Sequence, residues 1–259
     1  MARVSAYAKR KRPGAGKPRT YDPVHTQRAL IAAGTELFGR QGFHATSVRE
    51  IADTAGVTKG AFYHHFEGKE DLLHTIHDQF IDFHLAGQKL ILARSRTAHE
   101  RLFHLVRMLV LVVAEYHEQV AVWYQEQKVL AGPEFAEVHA KRAEARDGFV
   151  GTVEAGVTSG EFRDDIDPTT AALGILGMGN WTYQWYSSRT KVSVEEIGRT
   201  YGLMALRSLT AKPRLVTALA ARGTYAGDPV HEALSLRRTD AQRRDEPDPP
   251  DTSPSTAAG

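Results

Sequence analysis

Apolar residues recur every three or four positions through almost the whole chain between residues 22 and 222, and nowhere alternate as a half-buried strand requires. This periodicity predicts an all-α fold. The first helix is expected at Pro23–Gln41, where Ala29, Leu30, Ala33, Leu37 and Phe38 share one face. Asp22 caps it, Pro23 fills its first turn and Gly42 stops it. Short helices are expected at Val48–Thr54 and Thr58–His64, and a long one at Lys69–Ala93. Further helices are read at 98–117, 119–130, 134–159, 168–188, 194–211 and 213–221. Gly132-Pro133, Gly160 through Pro168 and Lys212-Pro213 supply the breaks.

The ends read differently. Residues 1–20 carry Arg3, Lys9, Arg10, Lys11, Arg12, Lys17 and Arg19 with no acid, and are expected to be a disordered basic arm suited to nucleic acid phosphate. Residues 223–259 mix both charges with a Pro run and are expected to be a disordered tail, with a short helical turn at Val230–Leu236. The first 20 residues are basic but lack an apolar core, so they do not read as a secretory signal. The longest apolar run, Met108–Ala114, falls far short of the roughly 20 residues that span a bilayer. With no Cys at all, disulfides, thiolate metal sites and a Cys nucleophile are excluded. The expected protein is cytoplasmic and has no membrane partner.

The informative stretch is Ala45–Leu73. Ser47 and Glu50 form a capping-box pattern, and Val48, Ile51, Ala52 and Ala55 form an apolar face. Gly56 tolerates a left-handed turn, Val57 plugs the gap, and Thr58 caps the next helix. Phe62 and Phe66 point inward, leaving Thr58, Lys59, Gly60, Tyr63 and His64 outside. Two short helices joined by a Gly turn, backed by the helix at Pro23–Gln41, make a helix-turn-helix domain whose last short helix can enter a major groove. Lys59, Tyr63 and His64 would meet phosphate. Thr46, Ser47 and Arg49 lie at a helix start that favours an anion, and Lys69 adds a further phosphate contact. Residues 21–70 hold five basic side chains against six acids, so geometry, helix termini and the basic arm, rather than a strong basic field, must carry affinity.

These residues resemble the DNA-binding domain of TetR-family transcriptional regulators. The matching features are Ala33, Leu37, Phe38, Gly42 and Phe43, then Thr46, Ile51, Ala52 and Ala55-Gly56-Val57, then Lys59 through Phe66, and Lys69-Glu70 with Leu72-Leu73. Ala61 departs mildly, standing where the family often has a larger apolar residue. The resemblance implies a DNA-binding domain at 21–68 and a helical ligand-binding and dimerisation domain at 69–222. It also implies a homodimer on a palindromic double-stranded operator, released by a small-molecule effector. The last two long helices, 168–188 and 194–211, would pair across the dimer, with Ile197, Tyr201, Met204, Ala205 and Leu209 as contacts.

Leu102, Leu105, Leu109, Val112 and Val113 form a core stripe in the second domain. Trp123-Tyr124 precede Arg142, Arg146 and Phe149, and Trp181 and Trp185, four apart, share a face with Met178 and Gly174 or Gly177. That aromatic face is core, dimer interface or ligand pocket. The pattern from Gly156 to Tyr186 resembles the TetR-family subgroup that represses fatty-acid and sterol degradation. That likeness implies an acyl-CoA effector, with Trp181 and Trp185 lining an apolar cavity and Arg142 or Arg146 meeting CoA phosphates. The alternatives are a repressor answering a different small apolar or aromatic ligand, a helical metal-dependent enzyme, and a nucleoid-type DNA binder. His74, His77, Asp78 and His84 are the metal candidates, without a zincin pattern. No catalytic residue, cofactor or metal ligand is expected.

Overall fold

The computed structural model describes residues 22–132, 135–187, 189–210 and 227–236. Ten α-helices are described: α1 Pro23–Gln41, α2 Val48–Thr54, α3 Lys59–Tyr63, α4 Lys69–Arg94, α5 Ala98–Glu115, α6 His117–Gln125, α7 Ala136–Thr158, α8 Pro168–Asn180, α9 Thr182–Trp185 and α10 Val194–Leu209. A 3-10 turn at Val129–Ala131 follows α6, and a further helix occupies 229–236. Among the described residues no strand forms, only a single bridge between Phe162 and Thr210. The expected arm at 1–20 and helix at 213–221 lie outside the described residues.

Helix α5 is the axis of the larger domain. Every residue from Leu102 to Val113 is buried, so this helix is enclosed on all sides rather than amphipathic. Helix α10 approaches it very closely through two glycines four residues apart. A Cβ at Gly198 would stand 3.3 Å from the Arg107 Cα, and one at Gly202 would stand 2.7 Å from the Phe103 ring. Ile197, Ala205 and Leu209, expected at a dimer contact, are therefore buried within the subunit. Met204 is left exposed and Tyr201 half-buried.

The polar groups of α5 tie down distant chain. His99 Nδ1 lies 2.7 Å from Glu161 Oε2, and its Nε2 lies 2.9 Å from the Thr210 hydroxyl. Glu161 also accepts the backbone N–H groups of Ala98 and His99, capping α5. Partial burial works to raise the Glu161 pKa, but these hydrogen bonds outweigh it and hold the carboxyl below its usual range. Arg107 donates to fully buried Asp228 at 2.6 Å, with His104 beside the pair. Asp228 starts the helix at 229–236, whose Val230 and Ala233 are buried and whose Glu232 meets Arg94 at 3.0 Å. The chain beyond Gly223 is therefore not a tail throughout: residues 227–236 are fastened to the core.

The expected helix at 168–188 is broken. Helix α8 stops at Asn180 and Trp181 turns the chain (φ −59°, ψ −13°) before the short α9. The turn lets Tyr183 stack on Tyr124, with ring centroids 4.5 Å apart, and lets His117 donate to the Tyr183 carbonyl at 2.8 Å.

On α4, the His84 ring is parallel to Phe149, 6.4 Å away. Burial first, and the charge of Arg142 second, push its pKa down to about 4, against a smaller opposing influence of the nearby Gln88 amide.

Two predictions follow from these pairings. Asp228→Ala leaves Arg107 buried without its anion and is expected to cost about 3–5 kcal/mol in urea denaturation. The control Glu232→Ala, in a largely exposed pair, is expected to cost no more than about 1 kcal/mol. Because the folded pKa of His84 lies below its ordinary 6.5, the unfolded chain binds the extra proton first. Its contribution, about 3 kcal/mol, is complete above the unfolded pKa and is lost as pH falls toward 4. His84→Gln should flatten that part of a stability-against-pH profile.

Candidate DNA interface and effector cavity

The three-helix head is built from local signals. Asp22 accepts the His25 N–H, and Ser47 and Glu50 form the full capping box, with Glu50 Oε2 accepting the Ser47 N–H at 2.8 Å. Gly56 sits at φ +69°, the left-handed turn that joins α2 to α3. The Thr58 hydroxyl accepts the Ala61 N–H, and Phe62 is fully buried against the Phe66 ring at 5.6 Å. Leu72 at the start of α4 fits over Gly34, where a Cβ would stand 2.6 Å from Leu72 Cδ2. Helix α4 is thus both the last support of the head and a wall of the larger domain.

The outer face carries Ser47, Arg49, Thr58, Lys59, Gly60, Tyr63 and His64, all exposed. A Cβ at Gly60 would meet nothing nearer than the Thr58 hydroxyl at 3.7 Å, so backbone here is open to a close-lying surface. Lys59 Nζ lies 5.7 Å from the Tyr63 ring centroid, and Arg49 faces Asp53 at 3.7 Å. Two expected contacts fall elsewhere. Thr46 is buried and its hydroxyl donates to the Gly42 carbonyl at 2.8 Å. The Lys69 ammonium donates to the carbonyls of Phe43 at 2.9 Å and Thr46 at 2.6 Å, and lies 4.5 Å from the Phe43 ring centroid. Both are committed to holding the loop between α1 and α2. They serve the backbone carbonyls there instead of a phosphate.

A cavity of about 560 Å³ opens between α4, α5, α6, α7 and α8. Its walls are mainly Phe80, Ile81, Leu109, Val112, Val113, Val120, Leu173 and Leu176, with Trp123, Tyr124, Arg142 and Arg146 among the polar and aromatic lining. Arg142 stands 4.0 Å over the Trp123 ring and donates to the Tyr124 hydroxyl. Burial lowers the Arg142 pKa and raises that of Tyr124. His139 and Arg146, on the same helix face one turn to either side, are exposed and mark the rim. Arg146 is held by its neighbour Asp147 at 2.8 Å.

Four expected lining residues are not in this cavity. Phe149 is fully buried behind His84. Met178, Trp181 and Trp185 do not line it, because α8 presents Leu173, Leu176, Gly177 and Asn180 to the cavity and then breaks. Trp181 and Trp185 are 61% and 43% exposed. Sequence reasoning missed Phe80, Ile81, His84, His139 and Asn180. The first three share one face of α4, a signal that periodicity alone assigns to core. Of the metal candidates, His74 pairs with Asp78, His77 packs between Phe80 and Trp123, and His84 lies against Phe149. Among the described residues no three metal-binding side chains converge. Nor is any described helix long and apolar enough to cross a membrane.

Cavity and head are joined through α6. Val120, Trp123 and Tyr124 line the cavity, while the next two residues grip the end of α1 and the loop after it. Gln125 donates to the Phe38 carbonyl at 3.1 Å, and the buried Glu126 carboxylate accepts the Phe43 N–H at 2.9 Å.

Residues 30–76 match the bacterial regulatory proteins of the tetR family, and residues 95–209 match the tetracyclin repressor-like C-terminal domain. The HTH-type transcriptional repressor KstR2 of Rhodococcus jostii is 31% identical over 183 residues, covering 70% of this chain and 90% of its own. KstR2 of Mycolicibacterium smegmatis is 29% identical over 189 residues, covering 73% and 92%. The structure of the ketosteroid transcriptional regulator KstR2 of Mycobacterium tuberculosis superposes with a TM-score of 0.67 at 26% identity, covering 76% of this chain and 99% of that one. AibR, solved with isovaleryl coenzyme A and operator DNA, superposes with a TM-score of 0.59 at 27% identity, covering 69% and 97%. With its helix-turn-helix head and helical second domain, the chain belongs to the TetR family of DNA-binding transcriptional regulators.

Proposed function

We propose that this protein is a cytoplasmic, homodimeric repressor that binds a palindromic operator and leaves it when an acyl-CoA thioester enters the cavity of each subunit. The observation that carries the reading is the cavity itself. Its walls are mainly apolar, its volume is about 560 Å³, and Arg142 and Arg146 stand along one side. An acyl chain or ring system fits the apolar part. The heavily charged nucleotide of CoA belongs at the exposed rim, where His139 and Arg146 lie. AibR, similar over most of its length, was solved with isovaleryl coenzyme A and operator DNA, and the KstR2 relatives are repressors, one described as a ketosteroid regulator.

In this reading α3 lies in the major groove with Thr58, Lys59 and Gly60 nearest the bases. Ser47, Arg49, Tyr63 and His64 fix the register on phosphates. The dimer forms across the exposed apolar side of α8, α9 and α10, where Trp181, Trp185 and Met204 are uncovered. Dimer contact replaces cavity lining as the role of the two tryptophans. Ligand entry displaces α4 and α6, whose other ends hold the head, and the two heads lose the spacing that the operator demands.

The test is a footprint of the protein on DNA flanking its own gene, repeated with a panel of acyl-CoA esters. One fragment should be protected over random competitor, and one class of ester should lift the protection; protection of no fragment would sink the reading. Tyr63→Ala should weaken operator binding about tenfold, the worth of one good phosphate contact, while light scattering still shows a dimer. The link through α6 makes a separate prediction. Glu126→Ala frees the Phe43 N–H, and should reduce the effect of the ester on DNA binding more than it reduces ester affinity measured by calorimetry.

A further inference from the structure

The cavity holds a charge that the protein does not balance. Arg142 lies inside it, between the exposed rim residues His139 and Arg146, with its guanidinium stacked on Trp123 and bonded to the Tyr124 hydroxyl. The nearby carboxylates are engaged elsewhere. Asp78, Asp82 and Glu137 all gather around Lys141 on the neighbouring face of α7, and Glu144 pairs with Lys89 outside. The remaining titratable neighbours, His77 and His84, are held neutral by burial, and the charge of Arg142 works in the same direction on both. The indole N–H of Trp123 is also buried without a hydrogen-bond partner. A guanidinium facing an apolar space, beside an unused N–H donor and away from any carboxylate, is costly in the empty protein. It becomes favourable when a ligand brings an anion.

We infer that Arg142 is the receptor for a carboxylate carried by the buried part of the effector, so that the preferred ligand is an acid-bearing acyl or ring compound rather than a plain hydrocarbon chain. A carboxylate matches the planar fork of Arg in a two-bond pairing. CoA phosphates are a poorer match for this position. They carry several charges, and one guanidinium in an apolar cavity would leave most of them desolvated without a partner. Those charges belong at the rim. This inference rests on the cavity being the effector site, and it adds that the enclosed portion of the effector is itself anionic.

The experiment compares three probes by calorimetry on the full-length protein: decanoyl-CoA, sebacoyl-CoA (its ω-carboxylate counterpart of equal carbon number) and free sebacate. Sebacoyl-CoA is expected to bind on the order of tenfold tighter than decanoyl-CoA, and Arg142→Gln is expected to abolish the difference. Equal affinities, or a preference that survives Arg142→Gln, overturn the inference and leave the acyl-CoA reading standing. If neither ester binds but free sebacate binds in an Arg142-dependent way, the carboxylate receptor stands and the thioester reading falls. Binding of none of the three overturns both.

A second readout separates this role from a structural one. Without ligand, Arg142→Met should melt at or above the wild-type temperature, because it removes a half-buried charge that no carboxylate balances. A fall of more than roughly 5 °C would make Arg142 part of the packing and overturn the inference.

Discussion

The fold depends on a helix that has no outside. Helix α5 is enclosed from Leu102 to Val113, so every polar group it carries must find a partner inside the protein. Those partners fasten pieces of chain that have no core of their own. His99 holds Glu161 and Thr210, at the exit of α7 and the end of α10. Arg107 holds Asp228, from which the helix at 229–236 starts. Glycine at 198 and 202 lets α10 lie close enough along α5 for the same helix to serve both. Gly156 performs a similar task, since a Cβ there would stand 2.1 Å from the Phe162 ring. That contact draws the loop after α7 back onto the core and delivers Glu161 to the start of α5.

The cavity sits on one flank of this axis, between α5 and the helices that reach the head. Its walls are therefore not an independent shell. Phe80, Ile81 and His84 belong to α4, whose first turn supports Phe43 and Gly34 in the head. Trp123 and Tyr124 belong to α6, whose end takes hold of α1 through Gln125 and Glu126. The Phe43 N–H ends on a buried carboxylate, so the head cannot rotate away from α6 without exposing an unpaired donor or acceptor. Contacts of this kind exchange between discrete arrangements instead of deforming gradually.

The head was legible from sequence and the second domain much less so. The bounds of α1 and α2 follow from caps and stops that act within a few residues, such as Asp22, Ser47 with Glu50, and Gly42. Thr46 and Lys69 were misread for a physical reason. A polar side chain near a helix start reads as a solvent or phosphate contact, and spacing does not reveal that carbonyls of Gly42, Phe43 and Thr46 lie within its reach. Trp181 and Trp185 were misplaced because the periodic argument assumes an unbroken helix. The break at Trp181 brings Tyr183 onto Tyr124 and His117, residues more than fifty positions away, and local spacing does not reveal such partners. Trp123, Tyr124, Arg142 and Arg146 line one cavity, on helices that are regular and so keep the spacing the sequence implies. The docking of 227–236 depends on Arg107, and nothing local to that segment announces it.

A five-residue helix such as α3 has no stability of its own. It holds its place because Phe62 and Phe66 are buried against α1 and α4, and because Lys69 ties the start of α4 to the loop that precedes α2. The position of the outward-facing Thr58, Lys59 and Tyr63 is consequently set by the two long helices, and those helices are also the ones that meet the larger domain. Within residues 21–70 five basic side chains stand against six acids, so the head itself carries little net charge to hold DNA regardless of fit. Affinity in such a head rests on several modest contacts made at once, so a small change in the placement of α1 or α4 removes them together.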